Sequence, residues 1–171
     1  ELLRLIYRLI FLMVAEDRNL LHPEKSKTEA RALYVQGYSL TSLRKQCYRA
    51  ATWDRHHDRY EGLKIVFHAL AQGQKALALP ALGGLFAEGL LPSLENARLR
   101  NKAFMEALYR LSWLSDKNGM VPVNWRSMET EELGSVYETL LELQPQLGDD
   151  GKSLIFASDV AEQKGNQRKT T

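Results

Sequence analysis

Leu2-Leu3-Arg4-Leu5-Ile6-Tyr7-Arg8-Leu9-Ile10-Phe11-Leu12-Met13-Val14-Ala15 is the stretch on which the fold turns. Only Arg4 and Arg8 interrupt its apolar run, and their spacing puts them on one stripe of a helix. Arg18 falls near the same stripe, about two to three turns later. A helix that is apolar on nearly every other side belongs in a core. The alternatives are a membrane-surface helix and a signal sequence. A signal sequence has its charges ahead of the apolar run and a small-residue cleavage site after it, so the buried helix is preferred. Each Leu or Ile buried there contributes about 1.5–3 kcal/mol of transfer free energy. No stretch reaches about 18 uncharged apolar residues, so no membrane span is expected.

Outward from this helix, residues 19–37 are polar and broken by His22-Pro23 and Gly37. They read as a loop with a helical turn around Thr28–Tyr34. Ser39 is placed to cap a helix starting at Leu40, with Leu43, Cys47 and Ala50 inward and Arg44, Lys45 and Arg49 outward. Residues 52–60 form a polar connector. Leu63, Val66, Phe67 and Leu70 predict a helix over 61–72, with Gly73 as its stop. Residues 76–92 contain Leu79-Pro80-Ala81-Leu82-Gly83-Gly84-Leu85-Phe86 and Leu91-Pro92, and read as an apolar, turn-rich loop packed on the helices.

Asn101 is placed to cap the next helix, with Phe104, Ala107, Leu108 and Leu111 as one stripe. Asn118-Gly119 marks a turn, and Val121–Trp125 an extended segment that Pro122 confines to a sheet edge or end. Leu133, Val136, Tyr137, Leu140 and Leu141 predict a helix over 129–143, with Glu129, Glu131 and Glu132 at the positive end of its dipole. Gly134 inside it points to close approach of another backbone. Gln144-Pro145 ends the helix, and Leu154-Ile155-Phe156-Ala157 reads as a short strand. The expected fold is mostly α: a single helical domain of five or six helices, with at most a small β element. It spans 1–160, and 161–171 is a polar linker.

Length and charge agree with a globular domain. The 171 residues are 44% apolar and 26% charged. Lys plus Arg is 23 against 21 for Asp plus Glu, a net charge of +2 that excludes a strongly basic coat and an acidic disordered tail. One cysteine, Cys47, excludes an intramolecular disulfide framework and a multi-cysteine zinc site, and a reducing cytoplasm is the default compartment. The chain starts at Glu1 inside a helix and stops at Arg168-Lys169-Thr170-Thr171 without a cap signal. It is therefore expected to be a piece of a longer polypeptide.

The search for chemistry comes back nearly empty. His56 and His57 are neighbours that point apart, and His57 and His68 lack the i, i+4 spacing that offers two ligands from one helix. Solvated connector residues for the pair and a satisfied helix residue for His68 are preferred to a metal site. Cys47 lies on an apolar stripe and reads as a buried structural thiol. Gly83-Gly84 is followed by Leu85-Phe86, not by the Lys-Ser or Lys-Thr of a phosphate loop. Glu131-Glu132 and Asp149-Asp150 read as helix-start charge and a turn. No acid, base and nucleophile come together, so a free-standing enzyme has little support.

The charges are uneven. From Ser127 to Asp150 there are seven acids and no bases, and from Ser39 to His68 six bases and three acids. Arg98, Arg100 and Lys102 add a small basic set, and Lys164, Arg168 and Lys169 make the tail basic. Solvated helix faces are the plain explanation. The sharper one is contact with nucleic-acid phosphates. Tyr48 and Trp53, near the basic stretch, are suited either to stacking on bases or to packing in a core.

Several segments together resemble a known family. They are Leu3–Leu12 with Ala15-Glu16-Asp17-Arg18, Tyr38-Ser39-Leu40 with Leu43-Arg44, Leu79–Phe86, Glu131-Glu132-Leu133-Gly134-Ser135-Val136-Tyr137-Glu138 with Leu140–Leu143, and Gly165–Thr171. In this order they resemble the helical region preceding the catalytic domain of large bacterial N6-adenine DNA methyltransferases, the type IIG restriction-modification enzymes and related phage-defence methylases. Residues 19–37 and 52–60 lie outside the resemblance. In that family the Arg-Lys-Thr-Thr segment leads into a Gly-x-Tyr-Tyr-Thr-Pro element that helps bind S-adenosylmethionine. That element, the Gly-rich cofactor loop and the Asn-Pro-Pro-Tyr motif are all absent here.

The resemblance implies a parent methyltransferase that uses S-adenosylmethionine, and a fragment that has no catalysis or cofactor of its own. Its implied partners are the methyltransferase domain of the same polypeptide and, through phosphate, double-stranded DNA. The candidates for backbone contact are Arg44, Lys45, Arg49, Arg168 and Lys169. The alternative is a helical protein-interaction module with no nucleic-acid role.

Overall fold

The first helix forms as the apolar run demands. In the computed structural model, which describes residues 1–143 and 145–156, α1 spans Leu2–Asp17 and buries Leu5, Leu9, Leu12 and Met13. Of its two arginines, Arg4 is exposed and Arg8 is not. Arg8 is 2% exposed. Its guanidinium donates from Nε to the Leu85 carbonyl (2.9 Å) and from Nη2 to that of Ala87 (3.1 Å). It also lies over the rings of Phe67 and Phe86, 5.1 and 5.7 Å from their centroids. Arg4 reaches the Leu90 carbonyl, and Arg18 those of Arg126 and Met128. The arginines of α1 therefore act as clamps on distant backbone.

The next two helices are α2 (Thr28–Gly37) and α3 (Leu40–Cys47). α2 is a full helix where a loop with one helical turn was expected, and it holds Tyr34 at 1% exposure. Ser39 caps α3 as expected, its side chain accepting from the Ser42 amide at 3.2 Å. A second cap comes from α1. The Glu16 carboxylate accepts from the amides of Leu40 (2.8 Å) and Thr41 (2.7 Å) and from the hydroxyls of Tyr34 and Thr41 (2.6 Å each). Burial, with Glu16 beside it, pushes the Tyr34 phenol far above its ordinary range, so it stays a donor.

Around this frame stand α4 (Asp58–Gln72), the one-turn α5 (Pro92–Asn96) and α6 (Asn101–Ser112). α4 stops at Gly73, as its sequence position suggested. Gly73 has φ +82°, and a Cβ there would sit 3.2 Å from the Ala81 amide nitrogen. Residues 73–91 run as 3₁₀ turns against α1, α2 and α4, burying Leu77, Leu79, Phe86 and Leu91. α6 buries Phe104, Met105 and Leu108, while Ala107 is exposed, so the inward stripe is turned from the expected one. The helix runs directly into a hairpin of β1 (Trp113–Asp116) and β2 (Gly119–Pro122), with Asp116 opposite Gly119. Sequence pattern had marked only the turn and the second arm.

These elements make one compact unit, Glu1–Met128; a second begins at Glu129. The second unit holds α7 (Thr130–Glu142) and a hairpin of β3 (Pro145–Leu147) and β4 (Leu154–Phe156), with Gln146 opposite Ile155. Glu129 and Glu132 form a reciprocal capping box at the start of α7. No residue of α7 is fully buried, and a Cβ at Gly134 would meet nothing within 4 Å. Among the described residues no close backbone explains Gly134. The chain is mostly helical, with six helices of eight residues or more among the described residues and two small two-stranded sheets. The linker boundary after residue 160 lies outside the described residues.

Candidate nucleic-acid interface

The outer side of α3 is set by its inner side. Leu40 and Cys47 are buried against α1 and α6, which leaves Lys45 and Tyr48 pointing outward. Arg44 does not join them. Its Nη1 pairs with Asp17 at 3.0 Å, its Nη2 donates to the Val123 carbonyl at 3.0 Å, and the residue is 8% exposed. The expected outward placement of Arg44 is corrected: the helix rotation that buries Cys47 also turns Arg44 toward Asp17. Lys45 and Arg49 are exposed, and their side chains make no hydrogen bond or ion pair among the described residues. Arg168 and Lys169 lie outside the described residues.

Four aromatic side chains gather where α3 ends. The Trp53 indole donates to the Cys47 carbonyl at 3.0 Å and the Trp113 indole to that of Arg44 at 3.4 Å. Both indole planes are thus tied to the last turn of α3. Tyr48 lies 4.6 Å from Trp113 and 6.2 Å from Tyr109 between ring centroids, and Trp53 lies 5.8 Å from Tyr109. Tyr48 remains 53% exposed. A tyrosine held this way offers a ring face to a planar ligand with few rotamers left to restrict.

The basic set near residue 100 joins this surface through the 52–60 connector. Asn101, expected as a helix cap, is instead the first residue of α6, and its side chain is buried as a hub. Its Nδ2 donates to Asp54 and Asp58 at 2.8 Å each, and its Oδ1 accepts from the Arg59 amide at 3.2 Å. The amides of Asn101 and Lys102 donate to the carbonyls of His56 (2.6 Å) and Asp54 (2.9 Å). The His56 amide, with Asn101 beside it, holds the Asp54 carboxyl below its ordinary range. The connector is therefore pinned on the start of α6, and Arg55 stands beside Arg100 and Lys102. All three are exposed without a partner among the described residues.

Lys102, Glu106, Tyr109 and Trp113 then follow one side of α6 at i, i+4, i+7 and i+11. Glu106 is paired with Arg110 at 3.2 Å. Ring contacts of Tyr109 with Trp53 and Tyr48 link the connector to the end of α3, with Arg55, Arg100 and Lys102 where the connector meets α6 and Lys45 and Arg49 near the end of α3. Arg55 was missed in the sequence because nothing local marks a connector arginine as facing a helix start forty residues on. The buried Asn101 was the available signal, since a buried amide needs partners.

Other candidates resolve as structural groups. Cys47 is fully buried, and its thiol donates to the Arg44 carbonyl; burial pushes its pKa up to about 11 despite nearby Trp113 and Arg44. Gly83-Gly84 opens a turn whose carbonyls face Arg8, the reverse of a loop that offers amides to phosphate. His68 is exposed and pairs with Glu88 at 3.1 Å. Among the described residues no three His, Cys, Asp or Glu side chains converge as ligands would, and no helix is long and apolar enough to cross a membrane. Comparison with protein families, with curated proteins and with solved structures finds no match to this chain.

Proposed function

We propose that this chain is the helical connector of a bacterial restriction-modification or defence DNA methyltransferase. In this reading it positions an N6-adenine methyltransferase domain of the same polypeptide and touches the DNA backbone itself. S-adenosylmethionine belongs to that catalytic domain, and the connector has no catalysis of its own. The ordered resemblance of its segments supports the parentage. The observation that supports the DNA contact is the set of exposed cations whose side chains have no partner among the described residues, Lys45 and Arg49 near the end of α3 and Arg55, Arg100 and Lys102 where the connector meets α6.

The test is titration of the chain onto a short duplex of arbitrary sequence at two salt concentrations. Contact by four or five of these cations gives a slope of log K against log salt near about −4, or a loss of a hundredfold or more between about 50 and 200 mM. Replacing Lys45 and Arg49 together by Glu lowers that slope by about two. Absence of binding at the lower salt refutes the DNA contact. For the parentage, the coding sequence beyond Thr171 is expected to carry Gly-x-Tyr-Tyr-Thr-Pro and then Asn-Pro-Pro-Tyr; a continuation lacking both refutes it.

One observation favours the second reading, a protein-interaction module. Tyr137 and Leu141 of α7 are about half exposed, and Leu133, Val136 and Leu140 on the same stripe are only partly covered. Such a stripe suits a helix partner in another domain. Salt-independent capture of a purified partner domain, with no DNA binding, would support it.

A further inference from the structure

We infer that the Tyr48–Trp113 pair and the cleft beside it receive an unpaired nucleobase, so that this face takes single-stranded or locally opened DNA in preference to an intact duplex. The inference rests on the reading of the face as a DNA contact and names what part of the DNA it recognises.

The cleft has a volume of about 510 Å³ and is walled by Trp113, Lys45, Val123, Asn124 and the Arg44–Asp17 ion pair, among others. That lies within the range of sites that accept a small planar molecule. Trp113 closes one side, and its orientation is set by its bond to the Arg44 carbonyl and by the Tyr48 ring 4.6 Å away. The Arg44 pairings to Asp17 and Val123 hold the floor in place. The Asn124 side-chain oxygen accepts from the Ser127 amide at 3.3 Å, while its amide nitrogen has no partner among the described residues and is left to donate to a base edge.

Charge complementarity selects the occupant. Lys45 at the cleft and Arg49 beside Tyr48 are unpaired, so a ligand that combines a flat ring with a flanking anion fits better than an apolar side chain. A nucleotide strand is that ligand: bases stack on aromatic faces while cations track the phosphates. An intact duplex keeps its bases inside the stack and presents only phosphates to this face. It would engage the lysine and arginines and leave the rings unused.

The experiment compares two probes on the whole chain: a labelled oligothymidylate of about 15 nucleotides and a duplex of similar length. Tyr48→Ala and Tyr48→Phe are the variants. Tyr48 is half exposed, and circular dichroism checks that its replacement leaves the fold intact. The expected result is that Tyr48→Ala weakens the single strand by about five- to a hundredfold and the duplex less than twofold, while Tyr48→Phe behaves as the parent. Single strand should also quench tryptophan fluorescence, because Trp113 adjoins the bound base. If both probes bind and Tyr48→Ala moves them equally, or moves neither, the base site is overturned and phosphate contact stands. If neither probe binds at low salt, the DNA reading itself fails, and the base site with it.

Discussion

Replacing Glu16 by Gln tests how the first unit is held together. The Glu16 carboxylate ties three helices: Oε1 accepts from the Tyr34 hydroxyl and the Leu40 amide, and Oε2 from the amide and hydroxyl of Thr41, all between 2.6 and 2.8 Å. Gln has the same shape but one acceptor oxygen and an NH₂ group. Whichever way the amide turns, one backbone N–H then faces another donor. If the oxygen stays with Thr41, the Leu40 amide is the orphan, and the Tyr34 hydroxyl, buried at 1% exposure, must turn round to accept from the new NH₂. Two bonds to a charged acceptor are lost, each worth about 1.5–3 kcal/mol net, and the other two weaken to neutral strength. After local relaxation the expected cost is about 3–5 kcal/mol. α3 has only eight residues, too few to hold its first turn without such a cap.

The assay is urea and thermal unfolding followed by tryptophan fluorescence. Trp53, Trp113 and Trp125 all lie in the first unit, so the signal reports that unit alone. At about 2–4 °C per kcal/mol, the midpoint should fall by roughly 6–20 °C. Tyr34→Phe removes one donor and leaves Glu16 three, so it should cost about 1–2 kcal/mol alone and clearly less in the Gln background. A loss under about 1 kcal/mol for Glu16→Gln, or strict additivity with Tyr34→Phe, would refute the cap.

Arg8→Leu should destabilise by about 2–4 kcal/mol in the same assay, because the partly buried carbonyls of Leu85 and Ala87 lose their donors. Arg8→Lys should recover less than half, since an ammonium cannot reproduce the fork. Gly73→Ala should cost about 1–2 kcal/mol by forcing a side chain to φ +82° against Ala81. Cys47, pushed to about 11 by burial, should resist an aromatic disulfide reagent at about pH 8 in the folded chain and react fully in denaturant. The Asp54 carboxyl is held below its ordinary value in the folded state. Its contribution is therefore present above about pH 4 and is lost as pH falls through the folded value. Thermal midpoints of the parent should drop faster than those of Asp54→Asn as pH is lowered from about 5 to 2.5.

Much of the helical frame was legible in the sequence, for reasons visible in particular residues. The α1 run, the Ser39 cap, the α4 stripe with its Gly73 stop and the Gly-rich turn onto the helices all follow from local periodicity and local turn chemistry. What was not legible depends on partners distant in sequence. α2 has few apolar residues and shows no stripe of its own, yet Tyr34 on Glu16 and His22 anchors it. β1 was hidden because residues 104–112 read as one continuous helix, and only pairing with β2 turns the chain at Trp113. The burial of Arg8 could not be read from its spacing, since its acceptors lie 77 and 79 residues away.

The candidate face and the family resemblance draw on different parts of the chain. Among the described residues of the first unit, the segments that carry the resemblance are the ones that tie it together: Arg8 binds the turn after Gly83-Gly84, Glu16 caps α3, Asp17 pairs with Arg44, and Arg18 holds the backbone at Arg126 and Met128. Each of these is a charged group whose value depends on one geometry, so a related scaffold would have little freedom to replace it. The face instead takes Trp53 and Arg55 from a connector outside the resemblance, and Arg100, Lys102, Tyr109 and Trp113 from α6 and the start of β1. The Trp113 indole couples the two through the Arg44 carbonyl, and Asn101 positions the connector on α6. A substitution at Asn101 should therefore impair both stability and DNA binding. Substitutions at Arg55 or Lys102 should spare stability and lower only the salt slope, by about one each. Equal effects of all three on unfolding would mean that the cations belong to the scaffold and that the face is not a separate binding surface.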